Sequence, residues 1–105
     1  MSQYRGTTPT HIFEVDIDLR TIEVLFLTYK QGDDCNERTV LEKTLADFTI
    51  TEDTVTTKLT QEETLAFCPD EKVKMQFRGK FPNGDAVACN EMYTDFEHIL
   101  KGGVI

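Results

Sequence analysis

The chain has no tryptophan, two histidines, three cysteines, three prolines, and eleven bases against nineteen acids. Each shortage excludes something. Cys35, Cys68 and Cys89 are odd in number and far apart, with no C-x-x-C spacing. A secreted disulfide framework is therefore not expected, nor is the Cys…Trp…Cys core of an antibody domain. The three read as reduced, partly buried thiols, with Cys35 exposed in the polar run Gly32-Asp33-Asp34-Cys35-Asn36. His11 and His98 cannot build a common zinc site by themselves, and each reads as a satisfied structural or surface histidine. The net charge of −8 at pH 7 repels phosphate backbones and anionic lipid, so neither nucleic acid nor a membrane is expected as a partner. No run approaches the ~18 apolar residues of a membrane span. The opening Met1-Ser2-Gln3-Tyr4-Arg5-Gly6 lacks the apolar stretch of a signal peptide, which makes a cytosolic setting the default expectation.

What the chain has is strand chemistry. It carries fifteen threonines among many Val, Ile, Phe and Tyr. Residues 1–10 read as an extended arm, because Pro9 pushes Thr8 toward an extended backbone. From His11 the pattern alternates, with His11, Phe13, Val15, Ile17 and Leu19 on one face and Glu14, Asp16 and Asp18 on the other; that is a half-buried strand. Thr21–Gln31 turns apolar on both faces around Val24-Leu25-Phe26-Leu27, which predicts a central strand covered on its second face by a loop or a partner. Arg38–Lys43 and Thr54–Leu59 read as further strands, with Leu45, Phe48 and Ile50 in an interrupted segment between them. Thr60-Gln61-Glu62-Glu63 has the spacing of a capping box. Pro69 follows so soon that a single helical turn is predicted, with Leu65 and Phe67 entering the core. The clearest hairpin is Lys72–Phe81 with Ala86–Thr94. An Asn83-Gly84 turn of type I′ would pair Phe81 with Ala86, Gly79 with Ala88, Lys74 with Tyr93 and Met75 with Met92. Asp95–Leu100 is either a last strand or a turn, and Val104-Ile105 leaves an apolar tail.

About seven short strands with turn signals every 8–12 residues predict an all-β, Ig-like antiparallel β-sandwich. It would span 11–105 as one domain behind the arm 1–10. A small barrel is the alternative.

Catalytic chemistry is hard to nominate. No Walker loop, G-x-G-x-x-G, G-x-S-x-G or H-x-x-x-H occurs. Glu14, Asp16 and Asp18 share a strand face but lack the glycine turn and closing Glu of a calcium loop, so they read as solvated carboxylates. Tyr4, Tyr29 and Tyr93 are the candidates for a sugar platform. No nucleophile–base pair stands out, no cofactor or metal is expected, and a non-enzymatic chain is the reading. Lys72, Lys74, Arg78 and Lys80 fall within nine residues. They form either a solvated strand face or a patch for an acidic partner, a second copy of this acidic chain included.

Several segments together carry a resemblance: Arg5-Gly6-Thr7-Thr8-Pro9-Thr10-His11, Tyr29-Lys30-Gln31-Gly32, Leu59-Thr60-Gln61-Glu62-Glu63-Thr64-Leu65-x-Phe67, Gln76-x-Arg78 and Leu100-x-x-Gly103-Val104-Ile105. The set resembles small prophage-encoded proteins of Gram-positive gut bacteria. The resemblance implies a virion structural or assembly component, at the tail, the baseplate or the head–tail junction, in the virion or the host cytoplasm. The expected function is protein–protein contact, with other phage proteins or with itself. The expected contact residues are Thr7, Thr8 and Pro9 in the arm, Lys72, Lys74, Arg78 and Lys80 in the basic cluster, Val104 and Ile105 in the tail, together with an exposed strand edge. A small carbohydrate-binding sandwich is the alternative.

Overall fold

A computed structural model describes residues 3–32, 37–69, 71–97 and 99–105. Cys35, His98 and the turn acids Asp33 and Asp34 lie outside the described residues. The elements are β1 (Thr10–Glu14), β2 (Val24–Gln31), β3 (Arg38–Thr44), a 3-10 turn (Leu45–Asp47), β4 (Thr49–Ile50), β5 (Thr54–Lys58), α1 (Gln61–Leu65), β6 (Val73–Lys80), β7 (Ala86–Ala88) and β8 (Met92–Thr94). The strands form two antiparallel sheets. One is ordered β1-β5-β4. The other is β3-β2-β6-β7, with β8 continuing the β7 edge of β6. The protein is an all-β sandwich. Lettered as an immunoglobulin-type sandwich, with β1 as B and β7–β8 as G, the sheets are B-E-D and C′-C-F-G. Among the described residues no strand takes the place of strand A, which would flank β1 in the three-stranded sheet.

Alternation decides which residues form the core. On β2, Leu25, Leu27, Tyr29 and Gln31 point inward, and on β6 Val73, Met75 and Phe77 do. Phe13 of β1 meets Phe77 of β6 edge-on, with ring centroids 4.9 Å apart. Antibody domains place their B–F disulfide between these two strands; here a ring contact takes its place. Phe67 stacks on Phe96 at 4.5 Å and meets Tyr29 edge-on at 5.7 Å. The Thr60–Glu63 capping box forms as its spacing predicts. The Glu63 carboxylate also holds the buried Lys43 of β3 at 2.7 Å, so the one acid caps α1 and neutralises a lysine in the sandwich. Phe67 enters the core as expected, while Leu65 is only half-buried. The break expected at Ala46-Asp47 is a second helical turn, where the Asp47 carboxylate accepts the Thr44 amide.

The chain departs from its alternation in three places. β1 stops at Glu14, where the Val15 amide is held by the Asp53 carbonyl at 2.8 Å. Beyond it Ile17 is exposed although Leu19 is buried. β2 is central, but among the described residues no loop covers its second face: Val24 and Phe26 are 36% and 37% exposed. The hairpin register is also off by one at β7. The turn closes through the Gly84 amide on the Phe81 carbonyl and the Phe81 amide on the Asp85 carbonyl, both 2.9 Å. Gly84 has φ +94°, whereas Asn83 does not adopt positive φ, so the type I′ turn is excluded. Pro82, with its ring-fixed φ, instead takes the second position of an ordinary turn, which it suits, and the loop is three residues long. Gly79 therefore faces Val87, and Lys80 faces Ala86. Val87 turns in toward the core, while Ala86 and Ala88 are exposed. An extra residue between Cys89 and Glu91 then restores the expected pairs Met75–Met92 and Lys74–Tyr93, as a β-bulge does.

Residues 3–9 do not hang free as an arm. Tyr4 bridges Glu97 in parallel, the Pro9 carbonyl accepts the Leu59 amide at 3.0 Å, and Thr10 already belongs to β1. Among the described residues of 95–100, expected as a strand or turn, only Glu97 pairs with backbone, and Phe96 is fully buried. His11 crosses between the sheets, with Nδ1 2.8 Å from the Tyr29 hydroxyl and Nε2 against the Gln3 side chain. Burial, and then the negative charge of Glu63, push the Tyr29 hydroxyl far up, so it stays protonated; the Gln3 Oε1 beside Nε2 can only accept, which leaves Nδ1 to accept from that hydroxyl. Nε2 then carries the imidazole proton and donates to Gln3.

Two predictions follow from this packing. A Cβ added at Gly79 would lie 2.6 Å from the Val24 carbonyl and 2.7 Å from Ile22 Cδ1. Gly79→Ala should lose about 1–3 kcal/mol of unfolding free energy, as overpacking does, although alanine is the better strand residue; a neutral result in urea titration would contradict the close approach. Burial also lowers the His11 pKa below 6.5. The unfolded chain then takes up the proton first as pH falls below 6.5, so stability is complete above that pH and declines beneath it. The urea midpoint of the wild type should fall between pH 7 and 5.5. That of His11→Gln should fall less across the same window.

Candidate interaction face

Even-numbered residues of β6 point away from the core, so Lys74, Gln76, Arg78 and Lys80 share the outer face of the larger sheet. Register builds the rows around them. Val24, Lys80 and Ala86 lie side by side, as do Thr44, Phe26, Arg78 and Ala88. Glu42, Thr28 and Gln76 make the next row, where the Thr28 hydroxyl donates to Glu42 at 3.3 Å. Lys30, Lys74 and Tyr93 make the last.

In that last row two lysines sit directly opposite each other, an arrangement that destabilises a sheet. Glu37 resolves it, lying 3.5 Å from the Lys30 ammonium and 2.8 Å from that of Lys74. The hydrogen bond from Lys74, and then that from Lys30, hold the Glu37 carboxyl below its ordinary range. Lys72, just before β6, lies over the Tyr93 ring at 5.4 Å, a cation–π contact. Arg78 and Lys80 form no ion pair among the described residues. They stand beside the exposed Val24, Phe26, Ala86 and Ala88. The structure thus puts Lys74, Arg78 and Lys80 on one face, with Lys72 just ahead of it on Tyr93, and supplies an apolar strip beside Arg78 and Lys80. The strip was hidden in the sequence because the expected hairpin register turned Ala86 and Ala88 inward.

The arm and tail residues gather elsewhere, around α1. Thr7 is held at both ends: its hydroxyl donates to the Tyr4 carbonyl at 2.6 Å, and its carbonyl accepts the Thr64 hydroxyl at 2.8 Å. Thr8 and Val104 line one shallow depression with Lys58, Leu59 and Gln61. The Gln61 amide clasps the Ile105 backbone on both sides, at 2.8 and 3.1 Å, and leaves the Ile105 side chain exposed. Pro9 is half-buried, with its carbonyl engaged as described.

Tyr29 is fully buried, which leaves Tyr4 and Tyr93 as the exposed tyrosines. Cys68 is tied to structure, with its Sγ 3.0 Å from Arg38 and its backbone clasped by Gln31. The Cys89 Sγ receives the Phe77 amide at the bulge. Asp18 is held down to about 2 by its hydrogen bonds from Arg20. Among the described residues no three of His, Cys, Asp and Glu converge as metal ligands. A cleft of about 400 Å³ opens between the 14–17 segment and β7, and the buried Leu19, Leu25 and Phe77 lie at its floor. No family model, no curated protein and no solved structure matches the chain.

The Glu37 clamp is directly measurable. In a carbon-detected NMR titration Glu37 should titrate below the ordinary glutamate range, and Lys74→Met should move it back up. An unshifted Glu37 in the wild type would remove the clamp.

Proposed function

We propose that the protein is a non-enzymatic protein-interaction module, and that its docking surface is the outer face of β2, β6 and β7. One observation carries the reading: among the described residues Arg78 and Lys80 have no ion-pair partner, and they stand beside Val24, Phe26, Ala86 and Ala88 on a chain of net charge −8. Interfaces combine an apolar centre with charge that fixes register, and arginine is favoured there. A patch of positive charge on an acidic chain selects an acidic protein surface, while the remaining carboxylates keep phosphate polymers away. The resemblance to prophage-encoded proteins points toward a virion or assembly partner, and it rests on the residues quoted for it.

The test uses a polyglutamate peptide as probe, followed by fluorescence anisotropy. The wild type should bind it, and affinity should fall as salt rises. Arg78→Glu with Lys80→Glu should weaken binding at least tenfold while leaving the thermal midpoint unchanged, because both side chains are exposed. Absence of wild-type binding at low salt, or binding indifferent to the double reversal, would contradict the reading.

A further inference from the structure

The strand edges of this sandwich are not alike. β4 is two residues long. β3 carries Arg38, Glu42 and Lys43, and its register against β2 shifts between Tyr29 and Lys30. β7 and β8 are three residues each and are divided by the bulge. Shortness, charge and bulges are the devices that keep an edge from pairing with another chain. β1 has the fewest of them: its one charge is Glu14, at the end of the strand. Thr10-His11-Ile12-Phe13-Glu14 contains no lysine, proline, glycine or bulge, and among the described residues it pairs only with β5. At its centre Ile12 is 65% exposed. The cleft beside Glu14, Val15 and Asp16 leaves that end of the edge open.

The flanking hydrogen bonds fix which backbone groups are free. The Leu59 amide donates to the Pro9 carbonyl, and the Val15 amide to the Asp53 carbonyl, both in the register of β1 with β5. Residues 9, 11, 13 and 15 therefore direct their backbone groups to β5. In an antiparallel ladder the intervening residues face the other way. Thr10, Ile12 and Glu14 thus present three amides and three carbonyls at the vacant position of strand A, and among the described residues no hydrogen bond reaches them.

We infer that this edge pairs with the β1 edge of a second copy, antiparallel about a two-fold axis at Ile12. The register is self-complementary. Ile12 lies opposite Ile12 of the second copy, Thr10 opposite its Glu14, and Glu14 opposite its Thr10. All three are hydrogen-bonding pairs, six N–H···O bonds in total, and no like charges face each other. The two three-stranded sheets become one of six strands, and each copy fills for the other the place of strand A. Such a contact is isologous and closes at a dimer. It does not depend on the basic face. Its salt dependence is opposite: two chains of −8 repel, so salt that weakens an acidic partner's hold on Arg78 and Lys80 strengthens pairing at β1.

The test is sedimentation velocity of the full chain under reducing conditions, across about three decades of concentration up to about 1 mM, at low and high salt. The wild type should shift with concentration from 12.0 kDa toward twice that mass, and more readily at high salt. Ile12→Lys, at an exposed position, should weaken the dimer at least tenfold with an unchanged circular-dichroism melt. Ile12→Pro removes the central outward amide and should act in the same direction. Thr39→Lys on the β3 edge should leave the dimer intact. A chain monomeric throughout the range would overturn the inference. So would a dimer indifferent to both Ile12 variants, and one abolished by Arg78→Glu with Lys80→Glu would move the contact to the sheet face.

Discussion

The ring contact between Phe13 and Phe77 holds the two halves of this protein together. The smaller sheet has strands of five, two and five residues, too little to persist alone. Its inward residues, Phe13, Ile50 and Val55 among them, leave water only by packing on the larger sheet. A disulfide at this level of an antibody domain makes that attachment covalent. Here it rests on burial and on the geometry of rings, because Phe77 also meets Phe48 edge-on at 5.9 Å. The His11–Tyr29 hydrogen bond adds a directional tie across the same gap, and Lys43 with Glu63 adds a charged one near α1. Both polar ties are matched pairs in a partly dry setting, where a lone member would be costly.

Close packing of the sheets also sets what lies outside them. Once Leu25, Leu27 and Tyr29 are committed to the core, Val24 and Phe26 have only the outer face to occupy. Once β6 turns Val73, Met75 and Phe77 inward, its lysines and arginine gather beside those two apolar residues. The outer face therefore follows from the inner one by strand parity. The same parity on β1 decides which backbone groups reach β5 and which reach solvent.

Much of this was legible in the sequence. The period-two runs at β1, β2, β5 and β6 and the capping box at Thr60 depend on local chemistry, which a sequence displays; Met75 pairs with Met92 only because the bulge cancels the register shift at β7. The register of β7 was not legible in the same way. Asn83-Gly84 favours one turn and Pro82 another, and the choice is settled by the gain from turning Val87 inward rather than Ala86 and Ala88. The end of β1 at Glu14 was hidden too, because the alternation of side chains runs on to Leu19 while the backbone partner at Asp53 does not. The clamp of Glu37 on Lys30 and Lys74 joins residues distant in the chain and exists only once β2 and β6 are neighbours. The free edge of β1 likewise belongs to strand order, which periodicity does not encode.

The account rests on β1 lying against β5 in one register, with its inward rings on the core and its other edge open. Residue-resolved amide exchange by NMR, in dilute solution where the chain is monomeric, reads that arrangement directly. His11, Phe13 and Val15 should exchange slowly, and Thr10, Ile12 and Glu14 quickly. Uniform protection along the strand, or the opposite alternation, would contradict it.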